Sequence, residues 1–174
     1  MGVIEYHSGV IFINKDKELK ENKNFWFSKL SFVPQDVYLF DGYISQYIIL
    51  NQNENNDQFY QRLEDVCKKA EIYDFVKSLK SQFKTVVGDR GVEISGGQKQ
   101  RIGIARALFH TSEILFFDES TSSLDSDTEE KIIKNITSEK NLTFVAATHK
   151  ISLLKYFDKV IEINNGKVKN IKIS

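Results

Sequence analysis

The chain has 174 residues, 41% hydrophobic and 28% charged, which is enough for one domain with a real core. That composition excludes a disordered, collagen-like or coiled-coil chain. With 24 basic and 24 acidic residues, no overall positive field points to nucleic acid.

In chain order, Val10-Ile11-Phe12-Ile13, bounded by Gly9 and Asn14, predicts a strand, and 15–24 a solvated loop or short helix. Leu30-Ser31-Phe32-Val33 predicts a second strand, stopped by Pro34, the one proline of the chain. From Tyr43 the pattern turns helical. A polar loop at 51–57 precedes an amphipathic helix from Phe59 to Ala70 and a further helix from Tyr73 to Leu79. The single cysteine, Cys67, excludes an internal disulfide and a cysteine metal site. It shares an apolar stripe with Phe59, Leu63, Val66 and Ala70, as a packed core thiol would.

Five of the nine glycines then fall between Gly88 and Gly103, ahead of and within a helix predicted from about Gly97 to Phe109. Ile114-Leu115-Phe116-Phe117 shows no alternation, which predicts a parallel strand buried on both faces. Ser126 and Glu129 have capping-box spacing for a helix running to about Ile136. Leu142 to Ala147 predicts another buried strand. Val160–Asn164 and Val168–Ile173 predict a hairpin about Asn165-Gly166. Strands alternating with helices predict an α/β sheet, interrupted by a mainly helical stretch between about Gly42 and Gln82. No apolar run reaches the length of a membrane span and no signal-peptide pattern opens the chain, so a soluble, cytoplasmic chain is expected.

Four places carry chemistry. In Ile94-Ser95-Gly96-Gly97-Gln98, Ser95 and Gln98 have the spacing of a helix cap. Yet paired glycines in a first helical turn cost stability, and bare backbone at a helix N-terminus suits an anion. Both readings stand at this point. The cluster is not a P-loop: Gly91 and Gly96 are correctly spaced, but Gly97-Gln98 stands where that motif needs lysine followed by serine or threonine. Asp118 and Glu119 end an apolar strand, at the sheet edge where α/β ligands bind. One could hold magnesium and the other orient or deprotonate a water, or both could merely open the turn at 120–123. His149 follows a strand at the same edge, and Gln35 follows Pro34 at the end of another. His7 and His110 have no partner pattern and read as structural.

Taken in order, these stretches resemble the nucleotide-binding domain of ATP-binding cassette (ABC) transporters over nearly the whole chain. Ile94 to Gln98 is similar to the family signature, Ile114 to Asp118 to its Walker B strand, and Glu119 stands where the catalytic glutamate does. Ser122-Ser123-Leu124-Asp125 resembles the D-loop, Ala147-Thr148-His149 the switch-histidine segment, and Val33-Pro34-Gln35 the Q-loop. Val86 to Gly91 and Leu39 to Ile44 resemble exporter segments, the first of which faces the membrane domains. Ser120 departs from the usual alanine, and Leu79 to Gln82 lacks the usual proline and glycine.

The resemblance implies an α/β, P-loop NTPase-like (RecA-like), mainly parallel sheet with an inserted helical subdomain, at about 42–96 between core segments 1–41 and 97–174. Gly2 to Asn14 is similar to the stretch just after the Walker A helix, so the family's earlier strands and P-loop find no counterpart here. The expectation is an N-terminally truncated domain, either a C-terminal part or a shortened subunit. By the same resemblance, Ser95, Gly96, Gly97 and Gln98 would clamp the γ-phosphate of ATP held by a second such domain, arranged head to tail. Asp125 would cross that contact. Asp118 and Gln35 would hold magnesium, Glu119 would be the general base, and His149 would reach the γ-phosphate. A transmembrane domain would be the other partner, placing the chain on the cytoplasmic face of the membrane. The alternatives are a catalytically incompetent subunit that lends its signature to a complete partner, or an ABC ATPase outside transport.

Overall fold

The computed structural model describes residues 8–13, 15–50, 57–88, 91–110 and 113–173. His7, the loop at 51–56, and Asp89 and Arg90 of the exporter-like segment lie outside them. Strand β1 (Phe12–Ile13) pairs antiparallel with β2 (Lys17–Glu18), and α1 (Lys23–Phe27) follows. The strand expected over 10–13 is thus confined to its last two residues, and the expected loop contains a strand. The reason is a reversal at Lys15 (φ 75°), which folds Lys17 back beside Ile13; Ile13 and Leu19 are buried, and Val10 and Ile11 are exposed.

Strand β3 (Leu30–Val33) stops at Pro34 as predicted. A short strand, β4 (Gly42–Tyr43), leads into α2 (Ile44–Ile49), which ends on Leu50 in the left-handed region (φ 42°). The predicted amphipathic helix is α3 (Asp57–Lys69), with Phe59, Leu63, Val66 and Cys67 buried. Its acidic start and basic end suit the helix dipole. Burial, helped by the nearby Glu64 charge, pushes the Cys67 thiol up to about 12, which makes it the inert core thiol that the apolar stripe predicted. Helix α4 (Tyr73–Ser78) follows, and β5 (Val86–Val87) pairs antiparallel with β4, so the helices are closed off at their base.

Helix α5 (Gly96–His110) runs through the middle and packs on α2, α3 and β3. Its end is fixed by His110, whose Nε2 lies 2.9 Å from the Ile48 carbonyl. Burial, seconded by the Arg62 and Arg106 charges, pulls the His110 pKa down against the opposing Ile48 hydrogen bond. The unfolded chain therefore takes up this proton first as pH falls. Stability that is full above the usual histidine value is lost on acidification toward the lowered folded value. In thermal melts between pH 8 and pH 5, His110→Gln is expected to flatten the loss; an unchanged slope would remove His110 from the account.

The central sheet is parallel, in the order β3, β6 (Ile114–Asp118), β7 (Thr143–Ala147). Val33 lies opposite Phe117, and Asp118 opposite Ala147, so the carboxyl ends of all three strands fall together. Neither β6 nor β7 is buried on both faces, contrary to expectation. Val33, Leu115 and Phe117 enter the core, whereas the in-register row Phe32, Phe116 and Val145 lies on the other face, with Val145 41% exposed. Among the described residues only one face of the sheet is covered, and β7 is an edge strand.

Helix α6 (Ser126–Thr137) also starts differently from expectation. Its cap is Asp125, whose Oδ1 accepts from the Thr128 N–H at 2.9 Å. Glu129, predicted to close a box with Ser126, is 2% exposed and points into the protein. After a 3-10 turn at Ile151–Tyr156, β8 (Lys159–Asn164) and β9 (Lys167–Ile173) form the predicted hairpin, with Asn165 and Gly166 both at positive φ.

Candidate functional site

The parallel sheet brings three of the predicted places to one edge. Gln35 follows β3, Asp118 and Glu119 follow β6, and His149 follows β7, in adjacent strands of matched register. Gln35, Asp118 and His149 are exposed and Glu119 is half-buried. Glu119 leaves the strand direction in the left-handed region (φ 47°), a conformation that costs a non-glycine residue about 1–3 kcal/mol and gathers at functional sites. Two backbone bonds hold it there: the Glu119 N–H donates to Ala147 and the Ser122 N–H donates to Glu119, each at 3.1 Å.

The Glu119 side chain meets His149, with Nε2 2.6 Å from Oε1. An ionised carboxylate only accepts, so with Glu119 ionised the donor of this contact is His149 Nε2. This contact crosses from the end of β6 to the end of β7, which neither spacing nor periodicity could show. Asp118 enters no ion pair among the described residues, and no group of three histidine, cysteine or acidic side chains placed to hold a metal ion occurs among them. The Asp118 carboxylate and the Gln35 amide each offer oxygen, the kind of donor a magnesium ion takes.

Residues 94–98 form the start of α5, and the plain capping reading is fulfilled. The Ser95 N–H donates to Gln98 Oε1 at 2.9 Å, and the Gln98 N–H to Ser95 Oγ at 3.3 Å. The cap uses Ser95 Oγ as an acceptor and leaves its proton to donate outward. The two glycines differ. A Cβ on Gly97 would stand 3.1 Å from the Ser123 carbonyl, so packing against the 120–125 loop explains that one. A Cβ on Gly96 would meet nothing nearer than 4.0 Å, so packing leaves its bare, exposed backbone unexplained.

Asp125 caps α6, and the Thr128 backbone N–H, then its side chain, holds the carboxyl below the usual carboxylate range. One residue that sequence reasoning passed over joins the two halves of the site. Gln100, on α5 and 3% exposed, donates from Nε2 to the Pro34 carbonyl at 3.1 Å, fixing the chain immediately before Gln35. Its one legible signal was a polar residue on the otherwise apolar buried face of α5.

A family model described as ABC transporter matches residues 1–122. The ABC multidrug transporter mdr1 of Aspergillus fumigatus is 38% identical over 162 residues, 92% of this chain and 12% of that protein. The multidrug resistance-like ATP-binding protein MdlA of Buchnera aphidicola is 36% identical over 164 residues, 93% of this chain and 28% of that protein. In three dimensions the chain is similar to a bacterial Atm1-family ABC exporter solved with ATP bound, with a TM-score of 0.82 and 29% identity, covering 95% of this chain and 28% of that one. The chain therefore spans 12% to 28% of the length of these relatives.

Proposed function

Because the chain belongs to the ABC transporter family, we propose that it is the ATP-binding and ATP-hydrolysing part of an exporter- or flippase-type transporter. Its sheet edge would be the γ-phosphate end of a composite ATP site. The observation that carries this reading is the Glu119–His149 pair, 2.6 Å apart at the ends of neighbouring parallel strands and flanked by Asp118 and Gln35.

In this reading Glu119 orients a water and takes its proton, on the carboxylate oxygen that His149 does not occupy. The His149 Nε2–H leaves Glu119 to donate to a phosphate oxygen when nucleotide arrives. Asp118 and Gln35 would hold magnesium, which when bound would neutralise charge on the phosphates. The Ser95 hydroxyl and the N–H groups at Gly96 and Gly97 face ATP carried by a second such domain, head to tail. Asp125 reaches that partner with the oxygen its helix cap leaves over. The 42–96 segment, pinned at its base by β4 and β5, acts as the helical subdomain that faces the membrane domain. No helix among the described residues is long and apolar enough to cross a membrane, so attachment to it would run through that partner.

The 174 residues contain no P-loop. Positioning and electrostatics supply nearly all of phosphoryl-transfer catalysis, so the chain by itself does not hydrolyse ATP. The preformed cap at Ser95 favours a second reading, in which the chain lends its signature to a complete partner. Joining the chain behind the P-loop-bearing part of a homologous ABC domain separates the two. Magnesium-dependent ATP turnover by the fusion, with none by the chain alone, supports the catalytic reading. A fusion that binds ATP without turnover, yet activates a signature-deficient partner, supports the second.

A further inference from the structure

We propose that the ion pair between the buried Glu129 and the partly exposed Lys150 is a positioning device that sets His149 against Glu119. This rests on the role given to His149 above. Among the described residues Glu129 is the one acidic side chain in the core, 2% exposed and on the helix face that carries Ile132, Ile133 and Ile136. Its Oε2 accepts from Lys150 Nζ at 2.7 Å, while Oε1 is buried with no hydrogen-bond partner among the described residues.

A half-satisfied buried carboxylate is a poor stabiliser. Removing the Glu129 charge from water costs on the order of several kcal/mol, which one bond to the 38%-exposed Lys150 offsets only in part, and well-packed apolar residues in place of such a pair often leave stability equal or higher. What the pair does secure is direction. Lys150 is the residue after His149, and its side chain turns inward to α6 while that of His149, 87% exposed, turns outward to Glu119. The Lys150 N–H also donates to Thr148 Oγ1 at 3.1 Å, so both neighbours of His149 are held.

The same turn of α6 grips the chain further on. Glu130 accepts from Lys155 at 3.0 Å and from the Tyr156 hydroxyl, and Leu153, between Lys150 and Lys155, is buried. Because α6 is itself capped by Asp125, the helix forms one rigid connection from the 120–125 loop to the His149 loop. Glu129 and Lys150 are thus positioning residues that act through His149.

The test reads geometry rather than turnover, so it stands whether or not the catalytic reading holds. In the full chain at pH 8, the His149 ring signals are recorded by 1H–13C NMR with Glu119 intact and with Glu119→Gln. This substitution is expected to shift those signals. In the double variant Glu129→Leu/Lys150→Met, the thermal midpoint is expected to be equal or higher, and the response of His149 to Glu119→Gln to be lost. A folded double variant that keeps the full response would overturn the proposal. Should the double variant not fold, the isosteric Glu129→Gln serves, with partial loss of the response expected and Lys150→Arg expected to retain it. An undiminished response in Glu129→Gln would be equally contrary.

Discussion

Glu119→Gln, placed in the P-loop-bearing fusion, is expected to lower kcat by ~10²–10⁴-fold, the range that a positioned general base supplies. That corresponds to about 3–5 kcal/mol of transition-state stabilisation. The substitution keeps the size of the side chain and its Oε1 acceptor, so the contact with His149 and the turn at 119–122 should survive. ATP affinity should consequently stay within a few fold, since in the proposed role the lost group acts on water and not on the nucleotide. Single-turnover kinetics beside equilibrium binding would show the split. A variant that keeps most of its kcat would remove Glu119 from the reaction and leave Asp118 or His149 to be tested in its place.

The largest structural effect is expected at Gly88. Its φ of +102° suits glycine alone, and a Cβ there would stand 2.8 Å from the Asp41 backbone and 2.3 Å from its carboxylate. Gly88→Ala therefore combines backbone strain with a collision that no rotamer relieves, and about 2–5 kcal/mol of destabilisation follows. The damage should be local at first. Strands β4 and β5 meet at Gly42 with Val87 and Tyr43 with Val86, and the Ile44 N–H donates to the Thr85 carbonyl at 3.1 Å, so these are the bonds nearest the clash. Hydrogen exchange at Ile44 and Val87 should accelerate well beyond that at Leu115 in the central sheet. Uniform acceleration across the chain would mean that the helical segment and the sheet unfold as one unit.

Much of this architecture was legible in the residues. Helix α3 announced itself through Phe59, Leu63 and Val66 at helical spacing, and β3 through its stop at Pro34. The terminal hairpin followed from Asn165-Gly166. The signature-like start of α5 was readable twice over, as a cap and as a bare helix terminus, and the structure shows the cap formed while leaving Gly96 without a packing reason.

What escaped depended on contacts distant in sequence. Glu129 has the spacing of a capping partner for Ser126, but Asp125 took the cap, and a lysine 21 residues away drew the carboxylate inward. The apolar run at 114–117 carries no sign of which face will be covered, so the open row of Phe32, Phe116 and Val145 could not be foreseen. Pairing of β1 with β2 turned on a single positive φ at Lys15, a residue type that gives no such signal. The Glu119–His149 contact needed the register of β6 and β7, which only the folded sheet supplies.

The central claim is that these residues form the reacting end of a nucleotide site and not its cradle. Magnesium-ATP binding, titrated by calorimetry on the 174-residue chain alone and on the same chain joined to a P-loop-bearing segment, tests it most directly. No measurable binding by the chain alone, with micromolar binding by the fusion, is the predicted result. Micromolar binding by the chain alone, unaffected by the added segment, would contradict it.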